Sequence, residues 1–292
     1  MAHQLVARLK RYSSLVVLPH SVFALPFAFA SLVLAYRVTP PLRPLPEISG
    51  VLIGVLVAVV SARTAAMAFN RLVDARFDRE NPRTRLREVP SGSVSEKEVG
   101  RLILFSSLVF FFAAWYLGPH CLVLSPVVLV MLLFYSYTKR FTKYAHLVLG
   151  VCLALAPGGA WWVIRPAFET TPLLLMGSVL LWVSGFDILY SCQDCEFDKE
   201  QGLYSIPSRH GIERSLWVAR TFHLFAFIGF FLVGLSANLG AMYRIGVVCL
   251  GAILAGQHFY ITEKDLSRID RAFFTFNGMV SIFYLLLVLG TT

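Results

Sequence analysis

Nine runs of apolar residues, near 15–36, 48–70, 99–117, 121–138, 145–164, 172–192, 214–236, 241–261 and 272–290, alternate with short clusters of charge, proline and glycine. Crossing about 30 Å of hydrocarbon takes roughly 20 helical residues, and each run approaches that length. The runs predict an all-α, polytopic membrane protein of about nine transmembrane helices. A single domain over 1–292 leaves no room for a soluble one. Arg8, Lys10 and Arg11 precede the first run, and Ala28-Phe29-Ala30 within it superficially suits a signal peptidase. The run continues past that triplet, so it reads as a retained first helix.

Composition agrees. Of 292 residues 57% are hydrophobic and 15% charged, whereas soluble domains run near half and a quarter. The net charge of +9 is placed unevenly. One set of alternate loops takes the N-terminal cluster, Arg71 to Arg101, Lys139 to Lys143, Lys199 to Arg220 and Lys264 to Arg271. The other set has only Arg37, Arg43, Arg165 and Arg244. The positive-inside rule makes the rich side and the N-terminus cytoplasmic, and the C-terminus external after nine spans. The basic charge is therefore a topology signal; the expected partner is the lipid bilayer, not nucleic acid. Cys192 and Cys195 form a C-x2-C pair without two further ligands at suitable spacing, so they read as small helix residues, not a zinc site.

An internal similarity adds chemistry. Asp74 to Asn81 and Asp194 to Gln201 share the pattern D-x-x-F-D-[RK]-E-[NQ], 120 residues apart. Each follows an apolar run and precedes a stretch containing Pro and Gly. The spacing predicts two four-helix halves, about 1–140 and 141–262, with an extra helix about 270–290. After the first copy, Asn81 to Ser93 reads as a loop, and Ser95 with Glu98 as the capping box that opens the next helix.

Asn70, Asp74 and Asp78 line one stripe of a continuous helix, and Asp187, Asp194 and Asp198 fall within an arc of about 40° on another. Carboxylates at a membrane interface call for a task. A carrier of anionic lipid is the non-enzymatic alternative, but carriers favour acidic groups on broken helices at mid-bilayer. Oxygen-only sets suit Mg²⁺, which is commonly held by a few carboxylates together with substrate phosphates. Asp74 and Asp78 are expected to face Asp194 and Asp198 across one Mg²⁺-diphosphate site. Arg83, Arg87, Lys139, Lys199 and Arg209 lie nearby in sequence as candidate phosphate ligands, although Lys199 and Arg209 serve equally well as topology markers.

These residues resemble the signatures of the UbiA prenyltransferases. Asn70-x3-Asp74-x3-Asp78, followed by Arg83-Thr84-x2-Arg87-x2-Pro90-x-Gly92, is similar to the family's first motif. Asp187-x2-Tyr190-x3-Asp194-x3-Asp198, with Gly202 and the turn from Ser205 to Gly211, is similar to the second, and Tyr135-x3-Lys139 to a third element. The resemblance runs from about residue 8 to 290 and implies a UbiA-type bundle. It also implies Mg²⁺-dependent transfer of a polyprenyl chain from its diphosphate to an aromatic acceptor, with Asp74 and Asp194 central to catalysis. Tyr135 and Tyr190 are the candidate aromatic shields of the allylic cation. His20 to Ala28 and Arg63 to Asn70 resemble the 4-hydroxybenzoate branch, especially members acting on a dihydroxynaphthoate in menaquinone synthesis. Val17-Leu18-Pro19 stands where many relatives have a basic residue. Arg63, Arg140, His20 and Asn277 are candidate acceptor contacts; Arg63 serves equally in an ion pair with Asp187, and an interhelical hydrogen bond is the favoured role of Asn277. A haem or chlorophyll-type ring is the alternative acceptor. The location implied is a bacterial inner membrane, with the site on the cytoplasmic side.

Overall fold

A computed structural model describes residues 14–15, 23–38, 48–261, 263, 265–266 and 268–292, and the described elements are helical. In chain order they are α1 (Leu25–Val38), α2 (Ile48–Val73), α3 (Ala75–Glu80), α4 (Glu96–Leu117), α5 (Pro119–Thr138) and α6 (Ala145–Ile164). There follow α7 (Thr170–Ser191), a 3₁₀ turn (Cys192–Asp194), α8 (Cys195–Glu200), α9 (Ile206–His210), α10 (Ile212–Ser236), α11 (Ala241–Tyr260) and α12 (Ile269–Thr291). Among the described residues eight helical segments are long and apolar enough to cross a bilayer, with Leu25–Arg37 a shorter apolar one. The protein is an integral membrane protein. Part of the expected first span, 15–36, lies outside the described residues.

Local chemistry sets the helix ends. Ser95 accepts from Glu98 N while the Glu98 carboxylate receives Ser95 N, so α4 starts on the expected capping box. Gly118, at φ +139°, ends α4, and Pro119 opens α5 as a first-turn proline can. Pro126 and Pro157 lie inside helices, which membrane packing tolerates.

The chain divides into two compact units. In the first, built on 53–137, Ala68, Ala75, Val89, Val94 and Val99 pack with Leu15, and Ala62 and Ala65 with Phe110 and Leu129. Phe105 and Phe112 of α4 are exposed, as lipid-facing residues of an apolar helix are. The second unit takes α1 with residues 138–292. There Gly150 lets α6 approach α7 so closely that a Cβ would stand 2.5 Å from Leu180 O; small residues at helix contacts serve this purpose in membranes. An aromatic core of Phe27, Trp182, Phe230 and Tyr284 fills its interior.

Candidate active site

In the first unit α2 does not run on through the acidic segment. It stops at Val73, Asp74 takes φ −90° and ψ 3°, and the six-residue α3 follows. These dihedrals lie in the sparsely populated bridge region where active-site residues often sit. Asp74 N still donates to Asn70 O (2.9 Å) and Asp78 N to Asp74 O (2.8 Å), so the expected stripe of Asn70, Asp74 and Asp78 survives the break. Asn70 Nδ2 donates to Asp74 Oδ2 (2.7 Å). Asp78 is buried; its Oδ1 accepts from Arg87 Nη1 (2.7 Å), and Arg71 Nη1 lies 4.0 Å from its Oδ2. That Oδ2 is buried and accepts no hydrogen bond from the described residues. The loop after α3 folds back onto the segment: Thr84 Oγ1 donates to Asp78 O, and Val94 N to Glu88 O.

The second unit repeats the device. Asp194, at φ −99° and ψ 8°, separates the 3₁₀ turn from the six-residue α8. Three residues wound at about 120° instead of about 100° rotate the chain by roughly 60° in all, so Asp187 leaves the arc that a continuous helix would give it. Asp187 instead binds His146, whose Nδ1 lies 2.6 Å from Asp187 Oδ2. Ile206 N donates to His146 Nε2 (3.3 Å). Asp198 is buried, and Lys139 Nζ donates to its Oδ2 (3.2 Å). Burial opposes the Lys139 charge most strongly, but the carboxylates of Asp198, Asp194 and Asp187 together outweigh it and hold the amine above its ordinary pKa. Leu203 N donates to Asp198 O and Tyr204 N to Lys139 O, which ties the turn at Gly202 (φ +67°) to the end of α5.

Each unit thus brings an aspartate hinge, a short helix and a basic partner into one polar cluster. The other residues singled out in the sequence take the following places. Arg83 and Arg140 are exposed. Lys199 is exposed and bonded to Glu196 (2.8 Å), and the Arg209 guanidinium stacks 4.1 Å over the Tyr204 ring. Tyr135 is half-buried, and Tyr190 packs on Phe273 with ring centroids 4.6 Å apart. Arg63 Nε is buried without a hydrogen-bond partner among the described residues, as are both amide atoms of Asn277, so Asn277 makes no interhelical bond there. His20 lies outside the described residues. Cys195 Sγ donates to Pro207 O and belongs to the helix packing.

Two participants were not anticipated. Arg71 lies seven residues before Asp78, a spacing that returns to the same helix face, so the pairing was available to inspection. His146 is a lone histidine near the start of an apolar span, and an ionisable group there is itself a signal. Among the described residues no three His, Cys, Asp or Glu side chains form a metal site by themselves.

The model of the UbiA prenyltransferase family matches residues 24–279. The chain belongs to this family. It is a membrane prenyltransferase. A UbiA homolog from Aeropyrum pernix K1, solved in its apo form, shares 30% identity, covers 93% of this chain and 97% of its own, and superposes with TM-score 0.82. A UbiA homolog from Archaeoglobus fulgidus, solved bound to DMAPP and Mg²⁺, shares the fold at 17% identity over 96% of this chain and 98% of its own, with TM-score 0.74. Among curated relatives, a 4-hydroxybenzoate octaprenyltransferase of Francisella tularensis subsp. novicida is 27% identical over 78% of this chain and 80% of its own length. One from Shewanella denitrificans is 27% identical over 84% and 83%.

Proposed function

We propose that this UbiA-family enzyme transfers a polyprenyl chain from its diphosphate to an aromatic carboxylic acid of the 4-hydroxybenzoate type in ubiquinone or menaquinone synthesis, in a Mg²⁺-dependent reaction. The observation that carries the proposal is the duplicated aspartate hinge, with its buried second aspartate gripped by a base. The names of the Francisella and Shewanella relatives support the acceptor class, and the ligands of the Archaeoglobus homolog support the donor and metal.

The residues fit Mg²⁺. The buried Asp78 Oδ2 accepts no hydrogen bond from the described residues, and Asn70, Asp74, Asp187, Asp194 and Asp198 add only hard oxygen or amide donors. Asn70, Asp74 and Asp78 would hold the metal in one unit, and Asp187, Asp194 and Asp198 in the other. Bound Mg²⁺ supplies neutralisation of the negative charge that gathers on the departing diphosphate. Arg87 and Lys139 position the second aspartates and add positive charge, with Arg83, Lys199 and Arg209 as further phosphate contacts. As the allylic C–O bond breaks, its electron pair leaves with the diphosphate. Tyr135 and Tyr190 offer aromatic faces to the resulting cation. A ring carbon of the acceptor then forms the new C–C bond and loses its proton, while Arg63, Arg140, His20 and Asn277 hold the acceptor. The expected location is a bacterial inner membrane, with the acidic segments on the cytoplasmic side.

Separate Asp74→Asn and Asp194→Asn variants, reconstituted in liposomes with geranyl diphosphate, 4-hydroxybenzoate and Mg²⁺, should each lose at least a hundredfold in product formation. Chelation by EDTA should do the same to the wild type. Wild-type turnover in both variants would falsify the reading.

A further inference from the structure

Three buried polar side chains in the second unit lack partners among the described residues. Asn277 of α12 and Trp182 of α7 have no exposed surface, and Gln257 of α11 shows 1%. Both amide atoms of Asn277, both of Gln257 and the Trp182 indole Nε1 are without a hydrogen bond. Buried amides left unpaired are costly, so a group of them implies a partner that is not protein.

The helix registers bring the three to one level. Gly246 meets Leu287 and Gly256 meets Phe276, so α11 and α12 run antiparallel. Gln257 therefore lies within one or two residues of the level of Asn277. On the other side Phe273 packs on Phe186 (5.2 Å) and Tyr190 (4.6 Å), while Phe27 bridges Trp182 (5.0 Å) and Tyr284 (5.1 Å). That order makes α7 and α12 antiparallel too. Trp182, one turn before Phe186, then shares its level with Asn277, one turn after Phe273. All three side chains belong to inward stripes, Gln257 with Leu250 and Leu254, Asn277 with Phe273 and Tyr284, and Trp182 with Val179 and Phe186.

The chemistry of this layer is neutral and aromatic. Trp182 Nε1 donates only, whereas the two amides both donate and accept. His223 does not meet their need: its Nδ1 lies 2.8 Å from His258 Nε2 and its Nε2 3.2 Å from Trp182 O. The nearest carboxylate along α7 is Asp187, more than a turn from Trp182 and bound to His146. Phe27, Phe186, Phe273 and Tyr284 supply ring faces around the layer. Such a set suits a planar ring bearing an uncharged hydroxyl, and it does not suit a carboxylate.

We infer that Asn277, Gln257 and Trp182 form a hydrogen-bonding pocket for the ring hydroxyl of the aromatic acceptor. The inference rests on the acceptor reading above and assigns the hydroxyl a place of its own, apart from the basic groups proposed for the carboxylate. A site built to bond a hydroxyl rejects analogues that lack it, because its own polar atoms are then left unpaired.

The test compares binding of 4-hydroxybenzoate and benzoate to purified protein by equilibrium dialysis, in the wild type and in Asn277→Leu and Gln257→Leu. The wild type should prefer 4-hydroxybenzoate at least tenfold. In each variant that preference should fall towards unity while geranyl diphosphate affinity stays within twofold. Melting temperature should hold or rise, since an unpaired amide has been removed. Gln257→Leu, on a different helix, decides the matter should Asn277→Leu fail to fold. A preference unchanged in the folded variants, or a lowered melting temperature with unchanged preference, overturns the pocket and leaves the amides to ordered water. Wild-type protein that binds geranyl diphosphate but neither aromatic acid overturns the acceptor reading itself.

Discussion

The pairing of His146 with Asp187 shows how much a single buried side chain settles. Because Ile206 N donates to His146 Nε2, that nitrogen carries no proton, and Nδ1–H donates to Asp187. The imidazole thereby fixes the direction of a carboxylate and caps the start of α9. His146→Phe keeps the volume but leaves a buried N–H and a carboxylate without their partner, at about 1–3 kcal/mol for each unsatisfied group. The variant should lose about 2–4 kcal/mol of stability, read as a lowered melting temperature in detergent. An unchanged melting temperature would show the pair to be incidental. Arg71 was open to the helical wheel because its partner lies only seven residues on, in the short α3 that follows the break at Asp74. His146 and Asp187 are 41 residues apart on different helices, and no periodicity within one element could join them.

At the scale of elements, the apolar runs exposed nearly every long helix, since lipid demands continuous apolar length. Both hinges escaped notice because a helical wheel assumes uniform winding. Asp74 and Asp194 break that winding, and the break is set by contacts further along, such as Thr84 Oγ1 to Asp78 O and Leu203 N to Asp198 O. The capping box at Ser95 was legible because its signal is local. Close approach of α6 and α7 was not: one glycine among 20 says nothing until its neighbour is known. Gly150→Val would press its branched side chain into Leu180 O and Ser184 Oγ. Overpacking of this kind costs about 1–3 kcal/mol. Unlike a lipid-facing substitution, it should lower the melting temperature and raise protease sensitivity of the loops flanking α6 and α7. A melting temperature as in wild type would mean that the two helices can part without loss.

Across the whole molecule, the order of the long apolar helices was legible among the described residues, as was the duplicated acidic segment. The division into units was not, because α1 packs with helices more than 100 residues later, through contacts such as Ser31 Oγ to Pro157 O. Orientation in the membrane still rests on charge. Lysine and arginine concentrate between Arg71 and Arg101, and again between Lys199 and Arg220, while the opposite loops have Arg165 and Arg244. On the proposed orientation these basic loops lie in the cytoplasm, as the positive-inside rule expects of such a bias. In a background without the five native cysteines, Arg85→Cys and Asn238→Cys should therefore behave oppositely. Arg85 is exposed in the loop after α3, and Asn238 in the tight turn between α10 and α11, where it takes a positive φ of 51°. In intact cells a membrane-impermeant maleimide should label Asn238→Cys and should reach Arg85→Cys only after permeabilisation. The reverse pattern would invert the molecule, placing both aspartate hinges on the side away from cytoplasmic prenyl diphosphates. Substrate would then have to cross the bilayer before reacting, which would defeat the proposed cytoplasmic placement of the acidic segments.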